Sequence, residues 1–224
     1  MPCGLALSGC GSYGPPAGST RQAQAIHGLW GVLLWTGIAV GIIVYALILW
    51  SVLRYRNRSD ATPPPQFTGN PPLEITWTVI PLLIVGVLFF LTYRVERYVQ
   101  DVSPHPAVTV NVTAFRWSWR FLYQGSGKAI AGTPDQPPQL VLPVGQTVRV
   151  IVTSQDVVHS FYVPEFLFKR DAIPGVKNAF DLDIAKPGVY RGECAEFCGL
   201  SHARMLFTVK AVPAAAFASW MQSR

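Results

Sequence analysis

Charge is scarce in this chain. Asp, Glu, Lys and Arg make up only 13% of its 224 residues, about half the share usual in a soluble domain. It has no run of basic residues, so the formal charge of +6 gives no electrostatic footprint for nucleic acid. No internal repeat is present, which excludes solenoids and propellers. The motif Cys-x-x-Cys-His is missing, so no haem is attached in the c-type manner. Cysteine, histidine and methionine number four, four and three. Their rarity makes their positions informative.

The missing charge is explained by two long apolar runs. The first, Gly28 to Leu53, has no charged residue in 26 positions. As a helix it is long enough to cross a hydrocarbon core of about 30 Å. The second runs from Ile75 to Tyr93, starts near Pro72 and contains Pro81, which membrane helices tolerate. Arg54, Arg56 and Arg58 follow the first run directly. The excess of positive charge places this link in the cytoplasm and both termini outside. The link itself, residues 57 to 72, holds Pro63-Pro64-Pro65 and Asn70-Pro71-Pro72 and reads as an extended connector. Glu74 opens the second helix, where an acid stabilises the positive end of the helix dipole. Trp77 reads as an anchor at the membrane interface.

Residues 1 to 25 read as a flexible or processed tail, rich in Gly, Pro and Ser around 11 to 20. Leu7-Ser8-Gly9-Cys10 resembles the lipobox of bacterial lipoproteins, in which the cysteine is acylated. Only nine residues precede Cys10 and none is basic, which is short for a signal peptide.

Beyond the second helix the period changes to two. Val108, Val110, Val112 and Ala114 alternate with Thr109, Asn111 and Thr113, a half-buried strand. Further strands are expected at 117–123, 139–143, 146–153, 159–163, 178–184, 188–193 and 205–211, with 124–139 as a loop. Turn signals such as Pro143-Val144-Gly145 and Lys186-Pro187-Gly188 separate them. Short strands with regular punctuation predict a β-sandwich or barrel. In Phe115-Arg116-Trp117-Ser118-Trp119-Arg120-Phe121, Trp117 and Trp119 share a parity and fall on one face of the expected strand.

The most specific signal lies near the C-terminus. Cys194-Ala195-Glu196-Phe197-Cys198 is followed by His202 and Met205, so two thiols, an imidazole and a thioether occur within twelve residues. His159 opens another expected strand, which a sandwich can bring to this loop. Three readings are open: a disulfide between Cys194 and Cys198, a structural zinc site and a copper site. The soft donor set disfavours magnesium and calcium, and a thioether suits copper better than zinc. Two thiolates exceed the needs of a mononuclear blue-copper site and allow both sulfurs to bridge a pair of copper ions.

On these residues the chain resembles subunit II of the haem-copper cytochrome c oxidases, over residues 28 to 212. The motif Cys194-x-Glu196-x-Cys198-x-x-x-His202-x-x-Met205 and the segment Asp156-Val157-Val158-His159-Ser160-Phe161 carry the likeness. It implies a two-helix transmembrane hairpin, residues 26–96, plus an all-β cupredoxin-like Greek-key sandwich or barrel, residues 97–224, on the outer face of a bacterial cell membrane. It implies two copper ions bridged by Cys194 and Cys198, with His159 and His202 binding one each. Met205 is then the axial ligand of one copper, and the Glu196 backbone carbonyl serves the other. The Glu196 carboxylate resembles one that helps hold Mg²⁺ at the interface with subunit I. Trp117 matches the tryptophan where a c-type cytochrome delivers its electron. Glu74 matches a glutamate at the mouth of a proton pathway.

The implied partners are subunit I, the other oxidase subunits and membrane lipid. Four histidines, two of them used by the copper pair, leave too few for oxygen chemistry in this chain. One departure stands out. The family often surrounds the electron entrance with acid, yet residues 94 to 224 hold 14 Lys/Arg against 10 Asp/Glu, and Arg116 and Arg120 flank Trp117. A donor less basic than usual, or one held at the membrane, is expected. A quinol oxidase subunit II shares the fold without the copper ligands. The rival from another class is a membrane-anchored copper carrier or electron carrier working outside an oxidase. No fused haem domain is expected in the residues after Ala214.

Overall fold

The structure is a computed structural model and describes residues 14–56 and 68–223. The lipobox-like segment and most of the proline-rich link lie outside the described residues. Two compact units emerge: Gly28–Arg97, and the flanking residues up to His27 together with those from Tyr98 onward.

The first unit is helical. Helix α1 spans Arg21–Arg54 and α2 spans Pro71–Gln100. Both leave their apolar side chains uncovered by protein, as lipid-facing helices do. Both are longer than the apolar runs, because polar turns extend each run without breaking its backbone ladder. At the start of α2, Leu73 N–H donates to Asn70 Oδ1 at 3.4 Å, and Asn70 N–H donates to Glu74 Oε1 at 3.0 Å. This reciprocal cap satisfies donors that the first turn leaves free, and Pro71, with no N–H, fits the first helical position.

The second unit is a sandwich of two five-stranded sheets. One has the order β3-β2-β1-β5-β8, with β1 Val108–Phe115, β2 Ser118–Tyr123, β3 Ala129–Ala131, β5 Thr147–Ser154 and β8 Asn178–Asp183. The other has the order β4-β10-β9-β6-β7, with β4 Gln139–Pro143, β6 His159–Val163, β7 Phe168–Ala172, β9 Gly188–Cys194 and β10 Leu206–Val212. The parallel pairs are β1 with β5 and β4 with β10. Alternate residues of β1, β5 and β10 point inward. They meet around Trp119, Phe121, Phe161, Phe180 and Phe207, each at most 2% exposed. Buried Asp181 accepts from Arg149 and, at 2.6 Å, from the Ser103 N–H. That pair is satisfied from both sides, so its burial carries no orphan charge, and it fastens the segment after α2 to β8.

Several sequence expectations need correction. The tail of residues 1 to 25 is not flexible throughout. Ser19 N–H donates to Glu165 O and Ser19 O accepts from Ala185 N–H, both at 2.9 Å. Thr20 bridges Ile184, and Gln22 binds Asp183 through side chain and backbone. Thr20 Oγ1 also caps α1 by accepting from Ala23 N–H at 3.0 Å. Long-range partners, invisible in composition, order the segment from Ser19 on. The expected loop 124–139 contains the short edge strand β3. The strand β7 and a C-terminal helix α3, Ala214–Gln222, add to the expected elements. Trp117 lies not in β2 but in the turn before it, so it does not share a face with Trp119.

Candidate metal centre

Three neighbouring strands of one sheet build the site. His159 is the first residue of β6, and Cys194 is the last of β9, paired with Phe161. Met205 directly precedes β10, and Cys194 N–H donates to its carbonyl at 3.1 Å. The loop between β9 and β10 coils back on itself through His202 N–H to Gly199 O and Met205 N–H to His202 O, both 3.1 Å. This winding swings Cys198, His202 and Met205 toward Cys194. Gly199 allows the turn with a φ of +114°, and a Cβ there would sit 3.4 Å from the Trp117 ring. Glycine meets both demands, positive φ and close approach.

The donors pair off. Cys194 Sγ lies 3.8 Å from His159 Nδ1 and 3.2 Å from the Glu196 carbonyl oxygen. Cys198 Sγ lies 3.6 Å from His202 Nδ1 and 3.8 Å from Met205 Sδ. The two sulfurs stand 3.8 Å apart as free thiols. His159 and Met205 are fully buried, and Cys194 and Cys198 are each 6% exposed. His159 Nδ1 and the two sulfurs lie within 4.8 Å of one another and could hold a metal ion. Beneath them, the Trp119 ring sits 6.4 Å from the His159 ring, and its Nε1–H reaches the Met205 carbonyl at 3.4 Å.

The electrostatics suit a cation. Burial pushes the Cys194 thiol up, but His159 and then the backbone at Glu196 and Ser160 bring it down to about 7. Burial, and then the charge of Cys194, push Cys198 up to about 12. Two adjacent thiolates repel each other, so both ionise together only around a positive charge. The donor set therefore fits soft metal. Asp156 sits behind His159, its Oδ1 2.8 Å from the ring Nε2. Partial burial pushes its carboxyl up, but hydrogen bonds from His159 and the Arg116 and Val157 N–H groups outweigh this and hold it well below the usual carboxylate range.

The remaining candidates sit around this core. Trp117 is half-buried, follows a cis Arg116–Trp117 peptide, and donates its Nε1–H to the Cys198 carbonyl at 3.1 Å. The Glu196 side chain points to solvent, as do Phe197 and Leu200, 79% and 94% exposed. Glu74 lies in the helical unit and is no part of the site. Sequence reasoning missed the floor formed by Trp119 and the bond of Asp156 to His159. The spacing of Asp156 three residues before His159 was the available signal.

Family models now bear on the chain. The periplasmic domain of cytochrome c oxidase subunit II matches residues 85–212, and the transmembrane domain of the same protein matches residues 11–96. The chain belongs to the cytochrome c oxidase subunit II family. A probable cytochrome c oxidase subunit 2 of Streptomyces coelicolor is 40% identical, over 89% of this chain and 75% of the relative. The cytochrome c oxidase subunit 2 of Mycobacterium bovis is 32% identical, over 98% of this chain and 78% of the relative. Among solved structures, the periplasmic domain of cytochrome oxidase subunit II from Bradyrhizobium japonicum has 34% identity and a TM-score of 0.49, covering 54% of this chain and 95% of that one. A subunit II is the part of a haem-copper oxidase that receives electrons. Its two apolar helices anchor it in the membrane, and its sandwich lies outside the cytoplasm.

Proposed function

We propose that this chain accepts electrons from a c-type cytochrome into a copper pair and passes them to haem in subunit I, where oxygen is reduced to water and protons are translocated. The observation that carries the reading is the pair of matched half-sites. Each thiol has one imidazole Nδ1 and one weak neutral donor beside it, and the sulfurs are close enough to be shared. Cys194 and Cys198 would bridge, His159 and His202 would each hold one ion, and Met205 and the Glu196 carbonyl would complete the set. A copper pair held by these residues would supply a one-electron centre. The buried strands β6, β9 and β10 hold the donors still, and the Trp119 floor excludes water from below.

Trp117 is the surface end of the route. Its indole N–H on the Cys198 carbonyl joins the surface to a bridging sulfur by one hydrogen bond and a few covalent bonds. Arg116 and Arg120 are exposed beside it, so the docking face of the donor is less basic than usual for this family. The exposed Glu196 carboxylate is suited to a hard cation such as Mg²⁺ at the contact with subunit I. Glu74 caps α2 through Oε1, and its exposed side chain suits the mouth of a proton pathway on the cytoplasmic side. A Glu74→Gln oxidase keeps an acceptor for the cap but loses the proton site. Oxygen consumption and proton uptake at the native rate in that variant would remove this role.

Metal analysis of the purified oxidase, combined with low-temperature electron paramagnetic resonance, tests the main reading. Two coppers assigned to this chain and a mixed-valence signal are expected, and the same analysis reads magnesium. Zinc in the site, or no shared-spin signal, contradicts the reading. A Trp117→Ala oxidase should keep the copper signal and lose most of its rate of electron uptake from a reduced cytochrome in stopped flow. Unchanged uptake would place the electron entrance elsewhere.

A further inference from the structure

The two oxygens of Asp156 have separate partners. Oδ1 accepts from His159 Nε2–H at 2.8 Å and from the Val157 N–H at 2.7 Å. Oδ2 accepts from the Arg116 N–H at 2.7 Å and from Arg116 Nε at 3.3 Å. His159 is a candidate ligand, and Arg116 directly precedes Trp117. The residue itself sits in the short connection between β5 and β6, whose first end is fixed by Gln155 N–H on Ala114 O at 3.0 Å. One carboxylate thus touches both the imidazole behind the sulfurs and the turn that carries the indole.

We infer that Asp156 is a positioning residue with two tasks: it fixes His159 with its proton on Nε2 and Nδ1 toward the sulfurs, and it locks the Arg116–Trp117 turn against the same site. This rests on the reading of the copper pair and deepens it. Neutral imidazole carries one proton, and the hydrogen bond made by one nitrogen decides which nitrogen is left to bind a metal. A ligating histidine held this way keeps its ring orientation, and losing such a partner typically weakens metal binding 10–100-fold. The ring of His159 is fully buried, so in the native site no bulk water competes with the carboxylate for Nε2. On the other side, the Arg116 side chain alone could not hold the turn. Its guanidinium is half-exposed, with 51% side-chain exposure, and exposed pairs hold little. The shorter bond, from the Arg116 main chain, does this work.

The test uses the purified oxidase with Asp156→Ala and Asp156→Asn. The Ala variant is expected to lose copper to a competing chelator at about 10–100-fold lower chelator concentration. It should also show an altered copper hyperfine pattern and slower electron uptake from reduced cytochrome. Asparagine has one acceptor oxygen where aspartate has two, so it can serve His159 or Arg116 but not both. The Asn variant should therefore recover part of the lost affinity without recovering both affinity and uptake rate. A merely structural carboxylate would show no such split, and its loss would register only as a lower melting temperature with unchanged spectra. If the Ala variant folds and matches wild type in affinity, hyperfine pattern and uptake, the inference is overturned. If that variant does not fold, an Asn variant equal to wild type in all three overturns it as well. A wild-type oxidase without the shared-spin signal sinks the copper reading itself, and this inference with it.

Discussion

Replacing Cys198 with serine should abolish the shared-spin copper signal completely while the sandwich stays folded. Cys198 stands at the centre of the donor set, within 3.8 Å of Cys194 Sγ, His202 Nδ1 and Met205 Sδ. Serine is nearly the same shape, but its hydroxyl is a hard, weakly acidic donor that does not bridge soft metal. Cys194 and His159 would remain, so a single ion could still bind, with its electron confined to one nucleus. The hyperfine pattern should then change from that of two equivalent coppers to that of one, and copper per chain should fall from about two to about one or less. The cost in stability should be small, about 1 kcal/mol. The residue sits in a loop whose backbone bonds, from His202 N–H and Met205 N–H, do not involve its side chain. Far-ultraviolet circular dichroism during thermal melting checks the fold, and resonance spectra check the site. A serine variant that kept the two-copper pattern would rule out the bridge through Cys198.

Much of this architecture is written in local sequence, and what escapes reading has identifiable causes. The membrane helices are legible because a charge-free run of 26 residues leaves few alternatives. The strands around Val108, Val148 and Phe207 are legible because one face is buried and the side chains alternate. Strand β7, Phe-Lys-Arg-Asp-Ala, lies at a sheet edge and buries only its last residue. It therefore carries no alternation to detect. Strand β3 has three residues and no buried one. Helix α3 follows Pro213 and opens on three alanines, a start signal and a propensity that were both present, but its nine residues give too short a window for a clear period. In the site, Cys194, Cys198, His202 and Met205 are legible because the end of β9 and the loop after it carry them all. His159 is legible only through its position at a strand start. The turn holding Trp117, the floor of Trp119 and the bond from Asp156 depend on three strands meeting in space, and no local period reports that.

Truncating Phe207 to alanine should be among the most damaging single changes in the sandwich, and it should reach the metal site indirectly. The ring is 1% exposed. It stacks on Phe161 at 4.6 Å between centroids and meets Trp119 at 5.2 Å and Phe121 at 5.9 Å. Removing a buried phenyl ring typically costs about 3–5 kcal/mol, part of it from the cavity left behind. For a unit of this size that lowers the melting temperature by about 10–20 °C. Phe207 is two residues from Met205 and supports Trp119, whose indole holds the Met205 carbonyl. The expected consequence is faster copper loss on warming, with the spectrum at low temperature little changed. Directly across the ladder is Gly192, where an added Cβ would lie only 2.2 Å from the Phe207 ring. Gly192→Ala alone should therefore cost about 1–3 kcal/mol by overpacking. In the Phe207→Ala background the same methyl group would enter vacated space. The two changes should then couple, and the double variant should be more stable than the sum of the single losses allows. Simple additivity in melts of the four proteins would mean that the ring and the glycine do not share this space, and the account of the core beneath the copper loop would have to be redrawn.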